Sequence, residues 1–169
     1  MFAISLIFSG IAMFLNGFLP LVDENDNNEV VVMNVLSGLI VSLISLYGIF
    51  TAITPAILLA YGSLLLFGIT HLYLASICIW DLREESFGWL CALLTLIALG
   101  LGIYYLLSGS LIVGIMWLVW MFIWLAFFVS RALDTMHTVA CWVIMLVGVI
   151  GLTIAGFMSL TNILTLTFI

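Results

Sequence analysis

The sequence predicts an all-α integral membrane protein in which six transmembrane helices pair into three hairpins. Of the 169 residues, 67% are hydrophobic and only 6% are charged, whereas a soluble domain needs about 25% charged residues to cover its surface. Five polar or turn-forming segments also interrupt the chain. The apolar stretches between them are each about 20 residues long, which is the length that crosses a bilayer.

The elements follow in order along a single transmembrane domain that covers residues 1–169. The predicted spans lie at about 2–22, 30–50, 56–79, 87–107, 111–130 and 138–158. The breaks between them are DENDNNE at 23–29, TAITP at 51–55, WDLREES at 80–86, SGS at 108–110 and RALDTMH at 131–137. Pro55 suits the first turn of the third helix, because its missing N–H is not needed there. The acidic first break is expected to be a solvated loop, since it offers acidity without convergent metal ligands.

The two basic residues predict the orientation in the membrane. Arg83 lies in the third-to-fourth loop and Arg131 in the fifth-to-sixth loop, so both fall on one side of the membrane. The positive-inside rule makes that side cytoplasmic. With an even number of spans, both termini are then extracytoplasmic, and the protein is predicted to be a multi-pass membrane protein surrounded by lipid.

Two carboxamides are predicted at similar depth on neighbouring helices. Asn16 lies well inside the first span and Asn34 well inside the second, roughly equidistant from the loop between them. Polar groups at membrane depth are costly and face the bundle interior or a cavity. The pair therefore either holds the two helices together through hydrogen bonds or lines a polar path, and these roles are compatible.

The third span carries several polar side chains in the stretch FGITHLYLAS, among them Thr70, His71 and Tyr73. His71 is the one histidine inside a predicted span. It is a candidate titratable group, because the unperturbed pKa of histidine is about 6.5. A neutral, hydrogen-bonded histidine is the more ordinary role for such a residue, and a metal site is not indicated by two histidines that lie far apart.

Three tryptophans share one face of the fifth span. Trp117, Trp120 and Trp124 are spaced at i, i+3 and i+7, which places their side chains on the same side of a helix. Interfacial anchoring explains tryptophans near the ends of a span, but Trp117 and Trp120 lie nearer the middle. The remaining interpretations are helix packing or the wall of a conduit. An indole offers a flat face and an N–H donor, which suits a small neutral amide-like solute rather than an ion.

The sequence contains no pattern that predicts an enzyme. It lacks a nucleophile elbow and a glycine-rich phosphate loop, and its carboxylates fall in the predicted loops. The spacing of Cys78, Cys91 and Cys141 matches no metal motif. No basic patch is present, so nucleic acid is not expected as a partner. Catalytic residues, metal ligands and cofactors are therefore all predicted to be absent.

Several of these residues together resemble the AmiS/UreI family of bacterial urea and short-chain amide channels. The resemblance covers nearly the whole chain. It rests on Asn16-Gly17, on VMNVLSGL at 32–39, on FGITHLY at 67–73, on Asp81, Arg83 and Trp89, and on the series Trp117, Trp120 and Trp124. Each motif alone is weak, but their order and their placement on six spans are specific together.

The resemblance implies six helices per protomer that form a bundle with a central pore, and a ring of six protomers. It implies passive movement of urea or small amides down a gradient, with tryptophans narrowing the path. It also implies a functional link to a urease or an aliphatic amidase. We therefore expect Asn16, Asn34, Thr70 and Tyr73 to supply hydrogen bonds, and the three tryptophans to supply apolar slots.

The sequence departs from the family pattern in features that bear on gating. Acid-gated members carry a longer loop between the second and third spans, where this chain has TAITP. Family members also commonly place glutamates at the end of the fifth span and within the sixth, whereas this chain has Ser130 and a sixth span without acid. Proton gating is therefore not expected. The alternative function is a structural or assembly subunit of a membrane complex, with the tryptophan face as its interface.

Overall fold

Six helical stretches of membrane-spanning length make up most of the chain that the structure describes. A computed structural model describes residues 1–22 and 28–166. The helices, in chain order, are α1 (Phe2–Val22), α2 (Asn28–Phe50), α3 (Pro55–Trp80), α4 (Glu84–Leu107), α5 (Leu111–Phe127), α6 (His137–Leu146) and α7 (Ala155–Leu160). A π-helix, Phe128–Ala132, continues α5, and a second one, Val147–Ile154, joins α6 to α7. The fifth span is thus Leu111–Ala132 and the sixth is His137–Leu160.

The predicted fold class is confirmed, since all six spans are long and apolar enough to cross a membrane and no strand occurs in the described ranges. The third span begins where the sequence predicts, because the Thr54 side chain accepts a hydrogen bond from the Ile57 N–H and Pro55 follows as the first helical residue. Residues 23–27, most of the acidic break, lie outside the described residues, and their solvated loop stays a prediction.

The spans form an inner and an outer set. The first, third and fifth spans are about half buried, while the second, fourth and sixth bury less of their length. Helix α2 packs mainly on α3, α4 packs on α5, and the sixth span packs on α1. Because the inner helices carry the candidate site residues of α1, α3 and α5, this arrangement brings them to the centre of the bundle.

Close contact between α1 and the sixth span depends on glycine. A Cβ atom at Gly10 would lie 2.5 Å from the carbonyl oxygen of Gly148, and a Cβ atom at Gly148 would lie 2.8 Å from the Cβ atom of Met13. Both distances are shorter than atoms tolerate, so only hydrogen fits at either position. Small residues at membrane helix contacts allow this approach of backbones.

The two π-helices were not predicted from the sequence. A π-turn pairs each N–H with the carbonyl five residues earlier, and such turns frequently lie at functional sites. In the second π-helix the Thr153 hydroxyl donates to the Gly148 carbonyl, at 3.1 Å. Trp120 of the fifth span donates to the carbonyl of Gly151. The irregular backbone of the sixth span is therefore held by side chains, as membrane interiors require.

Candidate functional site

An aromatic cluster fills the middle of the bundle. Phe67 of α3 packs against all three tryptophans of the fifth span, with ring centroids 4.6 Å from Trp124, 5.4 Å from Trp120 and 6.1 Å from Trp117. All four side chains are almost completely buried. The structure thus brings together the three tryptophans predicted from their spacing. Phe67 was missed by sequence reasoning, because a phenylalanine within an apolar span gives no distinguishing signal.

Two of the indole N–H groups have partners in the bundle. Trp124 donates to the hydroxyl oxygen of Thr70 at 2.9 Å, and that hydroxyl donates in turn to the Leu66 carbonyl at 2.8 Å. Trp120 donates to the Gly151 carbonyl at 2.8 Å. Buried polar groups of this kind need partners. The predicted residue Thr70 is therefore part of the same cluster as the tryptophans.

Asn16, Asn34 and His71 form a second buried group, which joins three helices. The two carboxamides face each other and exchange two hydrogen bonds, of 3.0 Å from the Asn16 amide and 2.8 Å from the Asn34 amide. The second N–H of Asn34 donates to the Val30 carbonyl at 2.9 Å, and the Nδ1 atom of His71 lies 2.9 Å from Asn34 Oδ1. The structure thus places the two predicted asparagines in contact, with His71 attached to the pair.

A cavity opens between α1 and the ends of the fifth and sixth spans. Its volume is about 230 Å³. It is lined by Asn16, Pro20, Leu21, Phe127, Ser130, Arg131, His137, Thr138, Cys141 and Ile144. Among the lining residues of α1, Asn16 lies farthest from the end of that helix at Val22. Arg131 and His137 lie at the end of the bundle that carries both arginines. We call this end the arginine end. The cavity therefore leads from the arginine end to the carboxamide pair.

Charged side chains surround the cavity only at its mouth, within the described residues. Arg131 pairs with Glu84 at the start of α4, which links the third-to-fourth loop to the fifth span. His137 lies 3.1 Å from Asp134. These groups are partly exposed, and exposed ion pairs stabilise a protein by about 0–1 kcal/mol. Within the described residues, the charge near the cavity is therefore confined to its arginine end.

Tyr73 lies apart from both buried groups. Its ring packs edge-on against Phe87 at 5.5 Å, and Phe87 packs against Phe127 at 5.3 Å. Phe127 lines the cavity. Tyr73 therefore touches a residue behind the cavity wall and not the tryptophan cluster. No group of three or more potential metal ligands occurs in the part of the chain that the structure describes.

Comparisons with known proteins identify the class. Two solved structures share the fold along nearly the whole chain. A closed-state structure of the Helicobacter pylori urea channel has a TM-score of 0.86 at 21% identity, covering 98% of this chain and 100% of that one. A crystal structure of the urea channel from the same organism has a TM-score of 0.83 at 21% identity, covering 96% and 98%. The chain therefore has the same fold as these two proteins.

The sequence comparisons give the family. The AmiS/UreI family transporter profile matches residues 1–163. A Rhodococcus erythropolis protein, named provisionally as transporter protein AmiS2, is 26% identical over 169 residues, which span 95% of this chain and 79% of that protein. The chain belongs to the AmiS/UreI family of transporters, as its motifs predicted.

Proposed function

We propose that the protein is a passive channel for urea or short aliphatic amides. The observation that carries the proposal is a line of uncharged polar and aromatic groups through the centre of the bundle. It begins at Asn16 on the cavity and continues by hydrogen bonds through Asn34 to His71 of α3. Thr70, the preceding residue of α3, is hydrogen-bonded to Trp124 of the aromatic cluster. The family membership and the fold support the same class of function.

The chemistry of this line suits a small neutral solute. A primary amide or urea carries N–H donors and a carbonyl acceptor, which carboxamide, hydroxyl and imidazole groups can match. Its flat shape fits between aromatic faces. Carboxylates and arginines of the described residues lie at the arginine end or at helix ends rather than in this line, so an ion would find no partner for its charge inside the bundle.

The predicted site residues have distinct roles in this proposal. Asn16 offers hydrogen bonds at the inner end of the cavity, and Asn34 and Thr70 continue the polar line. Trp117, Trp120 and Trp124 form the narrow part, whose space Phe67 fills. Tyr73 acts less directly, by supporting the Phe87 and Phe127 rings behind the cavity wall. Passage requires these side chains to move, since the aromatic cluster is tightly packed.

The proposal includes the setting of the protein. We infer that it lies in the bacterial inner membrane with the arginine end cytoplasmic and both termini outside. We also infer that it assembles as a homohexamer with one pore in each protomer and supplies a urease or an aliphatic amidase. No cofactor and no catalytic step are part of the mechanism.

A proteoliposome assay tests the proposed function. Vesicles that contain the protein should take up urea or acetamide faster than empty vesicles, without nucleotide or an imposed ion gradient. Glycerol, a neutral solute without an amide group, is the comparison solute. Uptake that required an ion gradient would overturn the passive mechanism. Uptake no faster than in empty vesicles, together with obligate co-purification of another membrane protein, would favour the structural-subunit alternative.

The same vesicles test whether protons gate the channel. The loop TAITP contains no titratable group and the sixth span contains no carboxylate, so amide permeability should change little between about pH 5 and 7.5, the range in which histidine is the usual switch. The chain has two histidines, His71 in the bundle and His137 at the cavity mouth. A steep pH dependence that survived both His71→Gln and His137→Gln would reveal a gate elsewhere.

A further inference from the structure

His71 is buried, and one of its two ring nitrogens has no partner. Its side chain is fully buried in the bundle. The Nδ1 atom lies at hydrogen-bond distance from Asn34, but the Nε2 atom makes no hydrogen bond to any residue that the structure describes. A buried polar atom without a partner is costly. Its retention in the centre of an apolar bundle therefore points to a ligand.

The hydrogen bonds of Asn34 determine which nitrogen of His71 carries the proton. The Val30 carbonyl accepts from Asn34, so the amide nitrogen of Asn34 faces Val30 and its oxygen faces His71. An amide oxygen can only accept, so the Nδ1 atom of His71 must donate. The Asn16 carboxamide fits the same orientation, because it donates to that oxygen and accepts from that nitrogen.

The Nε2 atom is consequently an acceptor. No carboxylate among the described residues is hydrogen-bonded to the ring, and an unpaired buried cation would be very costly. The ring is thus neutral, and a neutral imidazole with a proton on Nδ1 has a lone pair on Nε2. The Val30 carbonyl fixes the orientation of the Asn34 amide, and that amide in turn selects the His71 tautomer whose Nε2 atom accepts a hydrogen bond.

His71 also lies between the residues that reach the cavity and the residues of α3 that contact the aromatic cluster. Through Asn34 it is attached to Asn16, which lines the cavity. In α3 it follows Thr70, the partner of Trp124, and it lies one helical turn from Phe67. His71 therefore lies at the junction of the two buried groups of the site.

We propose that His71 is a specificity-determining residue, whose Nε2 atom accepts a hydrogen bond from an N–H group of the permeating solute. This inference rests on the proposed amide-channel function. Asn34 is the positioning residue that holds the ring in the accepting tautomer. Solutes with a free N–H gain a partner at this point, and fully N-alkylated amides do not.

Nitrogen NMR on protein in liposomes tests the tautomer and the contact directly. The chain contains two histidines, so labelled histidine gives few signals, and His137→Gln assigns those of His71. We expect a protonated Nδ1 and an unprotonated Nε2. Acetamide should shift the Nε2 signal, and N,N-dimethylacetamide, which lacks an N–H, should leave it unchanged. A proton on Nε2, or the same response to both solutes, would overturn the proposal.

Flux measurements on three variants separate the two nitrogens. Gln reaches the position of Nε2 and can accept there, Leu has a similar volume without polar atoms, and Asn reaches the position of Nδ1 and keeps the donor to Asn34. Per folded protein, His71→Gln should keep most of the acetamide flux. His71→Leu should lose about threefold to tenfold, the worth of one neutral hydrogen bond, and His71→Asn should lose selectivity for acetamide over N,N-dimethylacetamide.

A purely structural histidine would give the opposite order. In that case His71→Asn, which keeps the Asn34 contact, would behave like the wild type, and the Gln and Leu variants would be equally impaired. The acetamide flux of the wild type distinguishes a failure of the proposed channel function from a failure of the role proposed for His71. If wild-type vesicles conduct acetamide but the variants follow the structural order, only the role of His71 is wrong. If wild-type vesicles conduct no amide, the proposed function itself is wrong.

Discussion

At the scale of single residues, the two asparagines at the centre of the bundle differ in how many of their hydrogen bonds are already made. Asn34 uses both of its N–H groups and accepts two hydrogen bonds through its oxygen. Asn16 uses one N–H group and one hydrogen bond to its oxygen in contacts with the described residues. Asn34 is therefore a fixed part of the structure, whereas Asn16, which lines the cavity, can still bind a solute.

The first prediction at this scale concerns the coupling between the two asparagines. Replacing either one by Ala leaves the other without its partner, so each single change should destabilise the fold and the double change should cost less than their sum. We expect a coupling free energy of about 0.5–2 kcal/mol, the range for polar contacts between membrane helices. Reversible unfolding of the four proteins measures it. Additive effects would contradict a direct contact.

The second prediction concerns the tryptophans. Trp120→Ala should cost about 3–5 kcal/mol by opening a cavity, which would reduce all transport through lost folding. Trp120→Phe keeps a flat ring but removes the N–H that binds the Gly151 carbonyl. In the proposed channel it should leave the protein folded and alter the ratio of urea to acetamide flux, as should Trp117→Phe and Trp124→Phe. If all three Phe variants keep the wild-type ratio, the tryptophans only pack the helices.

At the scale of helices, the hydropathy of the chain was sufficient to predict the spans, and the spacing of residues was sufficient to predict faces. The three tryptophans share a side because a helix repeats every 3.6 residues, and the two asparagines meet because they are equally far from one loop. Hydropathy and residue spacing do not determine the rotation of one helix relative to another that is distant in the chain. The contacts of Phe67 with the tryptophans and of His71 with Asn34 could therefore not be predicted from the sequence.

The π-helices and the cavity could not be predicted for a related reason. A π-turn in the sixth span depends on which hydrogen bonds its neighbours offer, such as the one from Trp120 to Gly151, and a single apolar stretch contains no sign of it. The cavity is a gap between α1 and the fifth and sixth spans. Its presence depends on how these helices pack, which the amino-acid composition does not determine. Of the polar residues at its wall, Thr138 has no distinguishing feature in the sequence, and Ser130 was notable only as a departure from the glutamate of other family members.

The prediction at this scale concerns the contact between α1 and the sixth span. Gly10→Ala places a methyl group against the Gly148 carbonyl, so it should separate the two helices and lower the yield of folded protein. Gly62→Ala is the matched control, because nothing lies within 4 Å of the added Cβ atom. The control should stabilise α3 by up to about 1 kcal/mol, as alanine does in place of a helical glycine. Equal thermal stability of the two variants would contradict the close contact.

At the scale of the whole molecule, the distribution of charge separates a polar end from an apolar middle. Within the described residues the third-to-fourth and fifth-to-sixth loops carry Arg83, Arg131 and most of the acids, and the ion pair between Arg131 and Glu84 joins these two loops. The cavity opens at this end. In the proposed orientation, a solute in the cytoplasm meets the cavity first and the aromatic cluster second.

The prediction at this scale uses a native cysteine. Cys141 lines the cavity, Cys91 is buried away from it, and Cys78 is exposed on the outside of α3. In a Cys78→Ser, Cys91→Ser background, a small membrane-impermeant thiol reagent should block most of the amide flux when it is added from the cytoplasmic side. A Cys141→Ser variant of that background should be insensitive. A block from the opposite side alone would reverse the proposed orientation.

The aromatic cluster also divides the six tryptophans of the protein into three buried ones and three exposed ones. Trp117, Trp120 and Trp124 are at most 1% exposed, whereas Trp80, Trp89 and Trp142 are at least 50% exposed on the outside of the protomer. Brominated lipids should quench the fluorescence of the outer three and spare the inner three. The emission that survives quenching therefore comes from the cluster itself, so the protein contains its own label-free reporter of any rearrangement around Phe67.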